Sequence, residues 1–235
     1  MTYQIVIRDF KLFLVTLLVW FFLTPCFADF SRVWNIASPS VVSVLPTWPG
    51  YNKPGFGAPP GTAPEGTGIV VSKNGLIITA SHVISKASEI EIRDTLGVKR
   101  AAKVILNDRQ TDIALLKSEI HDQQISFTLG PSDVGSKACL ISNAFGLDLS
   151  ITCGVISATG RKGIGFNRIE DFIQTDAASN PGSSGGALVD QEGRLIGMMS
   201  GIFTKNTDTN SGVNFAISSN LIKKTISKFL DDDDP

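Results

Sequence analysis

Short β-branched runs, each bounded by turn residues, recur along most of this 235-residue chain. In the first half they fall at 41–45, 68–72, 76–80, 90–93, 98–106 and 113–117. In the second half they fall at 137–142, 150–158, 170–174, 186–189, 194–200 and 213–217. Asn74-Gly75 stands between two of the apolar runs, a strong hairpin signal. Twelve strands of this length and spacing argue for a barrel or a sandwich. The halves divide near residue 125 into two similar barrels, about 38–125 and 126–217. Ser219 is expected to cap a helix over 220–230, whose Leu221, Ile222, Ile226, Phe229 and Leu230 fall on roughly one face.

Between residues 46 and 66 lie six of the eleven prolines, and the sequence there is expected to hold no sheet ladder. It reads as a surface loop with Trp48, Tyr51 and Phe56. The segment 30–37 reads as a short helical arm broken by Ser38-Pro39-Ser40. A hydrophobic content of 43% with 18% charged residues suits a globular chain. The net charge is −1 and no basic stripe is visible, so nucleic acid is not an expected partner. The acidic run 231–235 reads as a solvated tail.

The first 28 residues read differently. Arg8 and Lys11 precede an apolar stretch over 12–23, and Cys26 and Ala28 form a small-x-small exit. This is the pattern of a secretory signal peptide, and it is short for a bilayer span. Cleavage would start the mature chain near Asp29 and place the protein in the periplasm or outside the cell. An uncleaved signal would anchor it to the membrane. Removal of Cys26 leaves Cys139 and Cys153, placed symmetrically about Gly146 in a turn-like stretch. They could face each other across two strands as a disulfide, or stand as buried free thiols. Their spacing resembles no metal site, and neither a metal nor a cofactor is expected.

One loop carries chemistry. Asn180-Pro181-Gly182-Ser183-Ser184-Gly185-Gly186 follows 172–178 and precedes Ala187-Leu188-Val189. A glycine-rich loop between strands can be a plain turn. It can also aim backbone N–H groups at one point and expose the Ser184 hydroxyl beside them, as acyl transfer requires. Such a serine needs a base, and the chain has two histidines. His121 lies in a polar stretch and reads as a solvated loop residue. His82 follows a strong strand and is the candidate base, although a lone histidine there could be a satisfied core residue. The imidazole needs a carboxylate to orient it. Asp112 opens a buried strand and is the first candidate. Asp108 reads as a solvated turn residue, and Asp176 as a structural hydrogen-bonding group.

Three segments together resemble the HtrA (Deg) serine proteases: Thr79-Ala80-Ser81-His82-Val83-Ile84; Asp108 to Leu116; and Gln174-Thr175-Asp176-Ala177-Ala178 leading into Gly182 to Leu188. The similarity extends over about 39–230. It implies an all-β, chymotrypsin-like double β-barrel with a C-terminal α-helix, forming one protease domain over 29–230. It also implies an exported, ATP-independent serine endopeptidase of protein quality control, acting on unfolded or misfolded polypeptides. By that resemblance His82 is the base, Asp112 its orienter and Ser184 the nucleophile. The N–H groups of Gly182 and Ser184 would form the oxyanion hole, and the substrate would pair with Ser200, Gly201 and Ile202. Ala178 stands where trypsin-like digestive enzymes carry an aspartate, which argues against a basic primary specificity. Ser183, not an aspartate, precedes the nucleophile, so activation by a newly cut N-terminus is not supported. Loops 46–66, 160–168 and 204–212 are the candidates for switching. Two features depart from the family. The chain stops at Pro235, where relatives commonly continue into PDZ domains, and Ala144 replaces a usual proline. The family implies a homotrimer through the N-terminal part. A non-cleaving, chaperone-like or scaffold module of the same fold, and a membrane-anchored regulatory protease, are the competing readings.

Overall fold

The computed structural model describes residues 30–51, 64–120, 123–128, 132–202 and 211–230. The signal-like segment with Cys26, the centre of the proline-rich loop, His121, most of 204–212 and the acidic tail lie outside the described residues. Within Ser31–Pro235, α1 (Ser31–Ala37) leads through a 3-10 turn at Ser38–Ser40 into β1 (Val41–Thr47). Next come β2 (Gly66–Val70), β3 (Leu76–Ala80), the one-turn helix α2 (Ser81–Ile84), β4 (Glu89–Arg93), β5 (Lys99–Asp108) and β6 (Ile113–Ser118). The second set is β7 (Lys137–Ser142), β8 (Ser150–Arg161), β9 (Phe172–Thr175), β10 (Ala187–Val189), β11 (Leu195–Ile202) and β12 (Asn214–Ser218). The helix α3 (Ser219–Leu230) follows.

Each set closes on itself. The first barrel runs β1-β2-β3-β6-β5-β4 and the second β10-β11-β12-β9-β8-β7. All the strand pairs are antiparallel, and closure removes the exposed edges that an open sheet would present. The architecture is therefore the all-β double barrel with a C-terminal helix that the sequence implied. Burial explains why the runs fold so. In β4 the alternation Glu89-Ile90-Glu91-Ile92 turns Ile90 and Ile92 inward and both glutamates outward. β3 and most of β6 are buried throughout, which accounts for their continuous apolar composition. Ala138, Leu140, Ile156, Ile173, Leu188, Ile196 and Met199 form the second core. Each large aliphatic side chain so buried contributes about 1.5–3 kcal/mol before entropy is counted.

Two local expectations are corrected. β1 continues through Pro46, which pairs with Ile90, so the proline-rich segment holds a short ladder at its start. β4 supplies the neighbour there, and a proline lacks only its donor, not its carbonyl. The cap of α3 is Ser218 rather than Ser219: Leu221 N donates to Ser218 Oγ at 3.2 Å, while Ser219 is the first buried residue of the helix. Ile222 and Ile226 are the buried residues of α3's apolar face.

Cys139 and Cys153 are directly opposite on β7 and β8 and are joined as a disulfide. The bond closes a loop of sequence separation 14, which in the chain-entropy account is worth about 3 kcal/mol. No helix among the described residues is long and apolar enough to cross a membrane.

Candidate active site

The first barrel delivers an imidazole and a carboxylate to one rim. β3 ends at Ala80 and turns into α2, whose second residue is His82. Asp112 stands just before β6, in the left-handed region at φ 60°, and is 7% exposed. Burial without partners would be costly for a carboxylate. Here Oδ1 accepts the backbone N–H of His82 at 2.9 Å, and Oδ2 lies 2.9 Å from His82 Nδ1. Oδ2 also accepts from Ser200 Oγ at 2.6 Å, across 88 residues of sequence. The Asp112 carbonyl accepts from Ser81 N at 3.0 Å, which ties the two turns together. With Nδ1 held by the carboxylate, the neutral ring keeps Nε2 as its acceptor. The His82 side chain is 51% exposed.

The second barrel delivers the serine loop. Gly185 stands at φ 86°, and a Cβ there would lie 1.9 Å from Thr67 O and 2.6 Å from Thr79 Oγ1. Only glycine lets the loop close against β2 and β3, three residues from His82. Thr67 is the joint between the barrels. Its N–H donates to Ser184 O at 2.9 Å, and its hydroxyl donates to Gly182 O at 2.8 Å while accepting from Asn143 N at 3.0 Å. Ser184 itself is half-buried. Among the described residues, the imidazole's hydrogen bonds run from Nδ1 to Asp112, and none runs to Ser184 Oγ. Such a link commonly tightens only when substrate is bound.

The peptide between Pro181 and Gly182 has a fixed orientation. Pro181 O accepts from Phe145 N at 2.7 Å. In a trans peptide the following N–H points the opposite way, so Gly182 N–H faces away from the 144–146 turn. Gly182 adopts φ 94°, and a Cβ would lie 2.4 Å from Asn143 O. The Ser142-Asn143-Ala144-Phe145-Gly146 run therefore sets this peptide, even though it lacks the family's proline. Ser183 is 1% exposed, with its hydroxyl 3.0 Å from Ser142 Oγ and 3.2 Å from Asn180 N. Its site is neutral and satisfied.

The remaining sequence candidates are also located. Ser200, Gly201 and Ile202 form the end of β11, which there outruns the three-residue strand β10. Among the described residues, that leaves one edge of the strand able to pair with an extended peptide. Ala178 is exposed between β9 and the serine loop, its carbonyl held by Thr152 Oγ1 at 2.7 Å. Asp176 accepts from Val155 N at 2.6 Å, and Asp108 accepts from Gln110 N and Thr111 Oγ1, so both carboxylates organise backbone away from the imidazole. Thr67 and the hydroxyl of Ser200 as a partner of Asp112 escaped the sequence reading. Neither has a local signature, because both act across the two barrels.

The segment 160–168 is organised by Glu170. Its carboxylate accepts the N–H groups of Ile164, Gly165, Phe166 and Asn167. Asn167 Nδ2 then donates to Thr111 O, beside Asp112. Burial pushes the Glu170 carboxyl up, but the four N–H donors outweigh it and hold it below its ordinary value of 4.5. A depressed carboxylate stabilises the fold fully above its unfolded value and loses that contribution as pH falls through the folded one. Glu170→Gln is expected to cost about 2 kcal/mol at neutral pH. Thermal melts from pH 7 to pH 3 should show the difference from wild type shrinking once the pH drops below about 4.5. A difference that grows with acidity would contradict this account.

A buried acid on an imidazole, and a serine in a glycine-rich loop, carried by two six-stranded antiparallel barrels, mark the trypsin-like class of peptidase folds. The profile described as "Trypsin-like peptidase domain" matches residues 66–198. Within that class, the chain belongs to the HtrA family of trypsin-like peptidases. It is 40% identical over 174 residues to a probable periplasmic serine endoprotease DegP-like of Chlamydia trachomatis, covering 72% of this chain and 34% of that protein. It is 37% identical over 170 residues to the periplasmic serine endoprotease DegP of Escherichia coli, covering 71% of this chain and 36% of that protein. Among solved structures, the HtrA-type protease AlgW with a decapeptide superposes with TM-score 0.75 at 32% identity, covering 86% of this chain and 68% of that one. The chain thus spans about a third of the length of the curated relatives it matches.

Proposed function

We propose that this chain is an exported serine endopeptidase that cleaves unfolded or misfolded polypeptides through an acyl-enzyme. His82 Nε2 takes the proton of Ser184 Oγ as the oxygen attacks the scissile carbonyl. The N–H groups of Gly182 and Ser184 stabilise the oxyanion that forms, a contribution of about 2.7–4 kcal/mol per donor in such sites. His82 then gives the proton to the leaving amine. Water, activated by the same nitrogen, hydrolyses the ester and restores the serine. Asp112 holds the ring in the one tautomer that allows this and stabilises the imidazolium. The observation that carries the reading is the chain of contacts Ser200 Oγ, Asp112, His82 Nδ1, assembled from both barrels. The names of the DegP relatives support a periplasmic setting, and the disulfide is consistent with an oxidising compartment. A homotrimer formed through the N-terminal part remains part of this proposal, as does a small or medium aliphatic side chain facing Ala178.

A fluorophosphonate probe tests the chemistry, because it reacts with an activated serine and not with an ordinary hydroxyl. The expected result is a single adduct, located by peptide mass spectrometry on Ser184. A folded protein that gives no adduct, or gives one elsewhere, would favour a non-cleaving module of the same fold.

A further inference from the structure

An open cleft of about 550 Å³ lies on the Asp112 side of His82. Its walls include Ser85, Lys86, Arg109, Phe166, Asn167 and Gly201. Neither Ser184 nor Ala178 lines it, so it is separate from the place expected to take the side chain next to the scissile bond. The Phe166 ring forms its apolar wall, close enough to Gly201 that a Cβ there would lie 3.1 Å from the ring. Phe166 is held by edge contacts with Phe172 and Phe215, at 6.2 and 5.6 Å between centroids. Its backbone is fixed by Glu170.

The charge of the cleft is one-sided. Lys86 and Arg109 are both exposed, and neither makes an ion pair among the described residues. Lys86 Nζ lies over the Trp48 ring at 5.7 Å, which places the ammonium without neutralising it. Among the described residues the only acid in the lining is Asp112, and its oxygens are taken by His82 and Ser200. Asp108, next to Arg109 in sequence, has its carboxylate turned to Gln110 N and Thr111 Oγ1.

We propose that this cleft recognises acidic side chains of an extended polypeptide, at the second and fourth residues before the bond to be cut. The assignment rests on the peptidase reading for its register. A peptide paired with Ser200 to Ile202 adopts strand geometry, in which successive side chains point to opposite faces. If the residue before the scissile bond turns toward Ala178, the second turns toward His82 and the cleft, and the fourth follows it. There a carboxylate meets Lys86 and Arg109, while its methylene groups pack on Phe166. Exposed pairs of this kind are individually modest and are screened by salt. Two acting together should give about tenfold discrimination between a doubly acidic and a doubly basic peptide.

Binding is measured without cleavage, on the Ser184→Ala chain, by fluorescence anisotropy. Two labelled nonapeptides share a valine before the intended bond and differ only in carrying Glu or Lys at both positions. The Glu peptide is expected to bind about tenfold more tightly at low salt, and the ratio should fall toward one in molar salt. Lys86→Glu with Arg109→Glu should reverse the order, and Arg109→Ala should shrink the ratio; both sites are exposed, and thermal melts check that the fold survives. Equal binding of the two peptides, or a preference untouched by charge reversal, overturns the proposal. Cleavage of the same peptides by the wild-type chain is read separately. Hydrolysis without charge preference would leave the peptidase reading standing and remove this one; Glu-selective binding without hydrolysis would leave the cleft's preference for acidic side chains standing and overturn its register relative to a cut bond.

Discussion

Replacing Ser184 by alanine is expected to lower kcat for an unfolded protein substrate by about 10⁶-fold, with the fold unchanged. The size follows from what is removed. The hydroxyl oxygen is the atom that would form the acyl bond, and the adjacent Ser183 hydroxyl is buried and hydrogen-bonded to Ser142 Oγ and Asn180 N. The oxyanion donors are backbone groups and stay in place, so a residual rate of about 10³–10⁴ over water should persist. The structural consequence should be small. Ser184 is half-buried, and its contact with the first barrel is made by its carbonyl, which accepts from Thr67 N. Paired measurements of single-turnover cleavage and of Tm test both halves of the expectation. Loss of activity together with a large fall in Tm would mean that the substitution broke the loop rather than the chemistry. Undiminished cleavage would remove Ser184 from the mechanism.

The second large effect is expected from Asp112→Asn, at about 10⁴-fold in kcat. Asparagine has nearly the same shape, so the loss must come from its hydrogen atoms. Asp112 Oδ1 faces the backbone N–H of His82 and must remain an acceptor. The amide NH₂ is then forced to the Oδ2 position, against Ser200 Oγ and His82 Nδ1. Ser200 can rotate and accept. Nδ1 can accept only by moving the ring proton to Nε2, and an Nε2 that carries the proton cannot take one from Ser184. The variant should therefore bind substrate about as well as wild type, with KM little changed and kcat reduced. A variant with kcat within tenfold of wild type would show that the carboxylate does not set the tautomer.

Much of this arrangement was legible in the chain. The strands were legible because their apolar and β-branched residues report burial locally, as in 76–80 and 90–93. The boundaries were less so: β1 runs on through Pro46 because β4 happens to stand beside it, and no residue of β1 encodes that neighbour. The candidate site residues His82, Asp112 and Ser184 could be singled out as types, since a histidine after a strand, an acid opening a buried one and a serine among glycines are visible in one dimension. Thr67 and the Asp112 partnership of Ser200 were not visible. Their hydrogen bonds to Gly182 and to Asp112 span 115 and 88 residues, and a threonine in a buried strand looks the same whether or not it holds another barrel.

The sequence by itself determined the materials: which segments are strands, where glycine must stand, and which groups could carry a proton or attack a carbonyl. The tertiary structure decided their relation. Two barrels closing separately leave a seam, and only the docking of Gly185 against Thr67 and Thr79 brings the serine loop to the rim that holds the imidazole. The reason is physical: burial and backbone preference act over a few residues and can be read in order. A hydrogen bond acts over 3 Å of space, whatever length of chain lies between its ends.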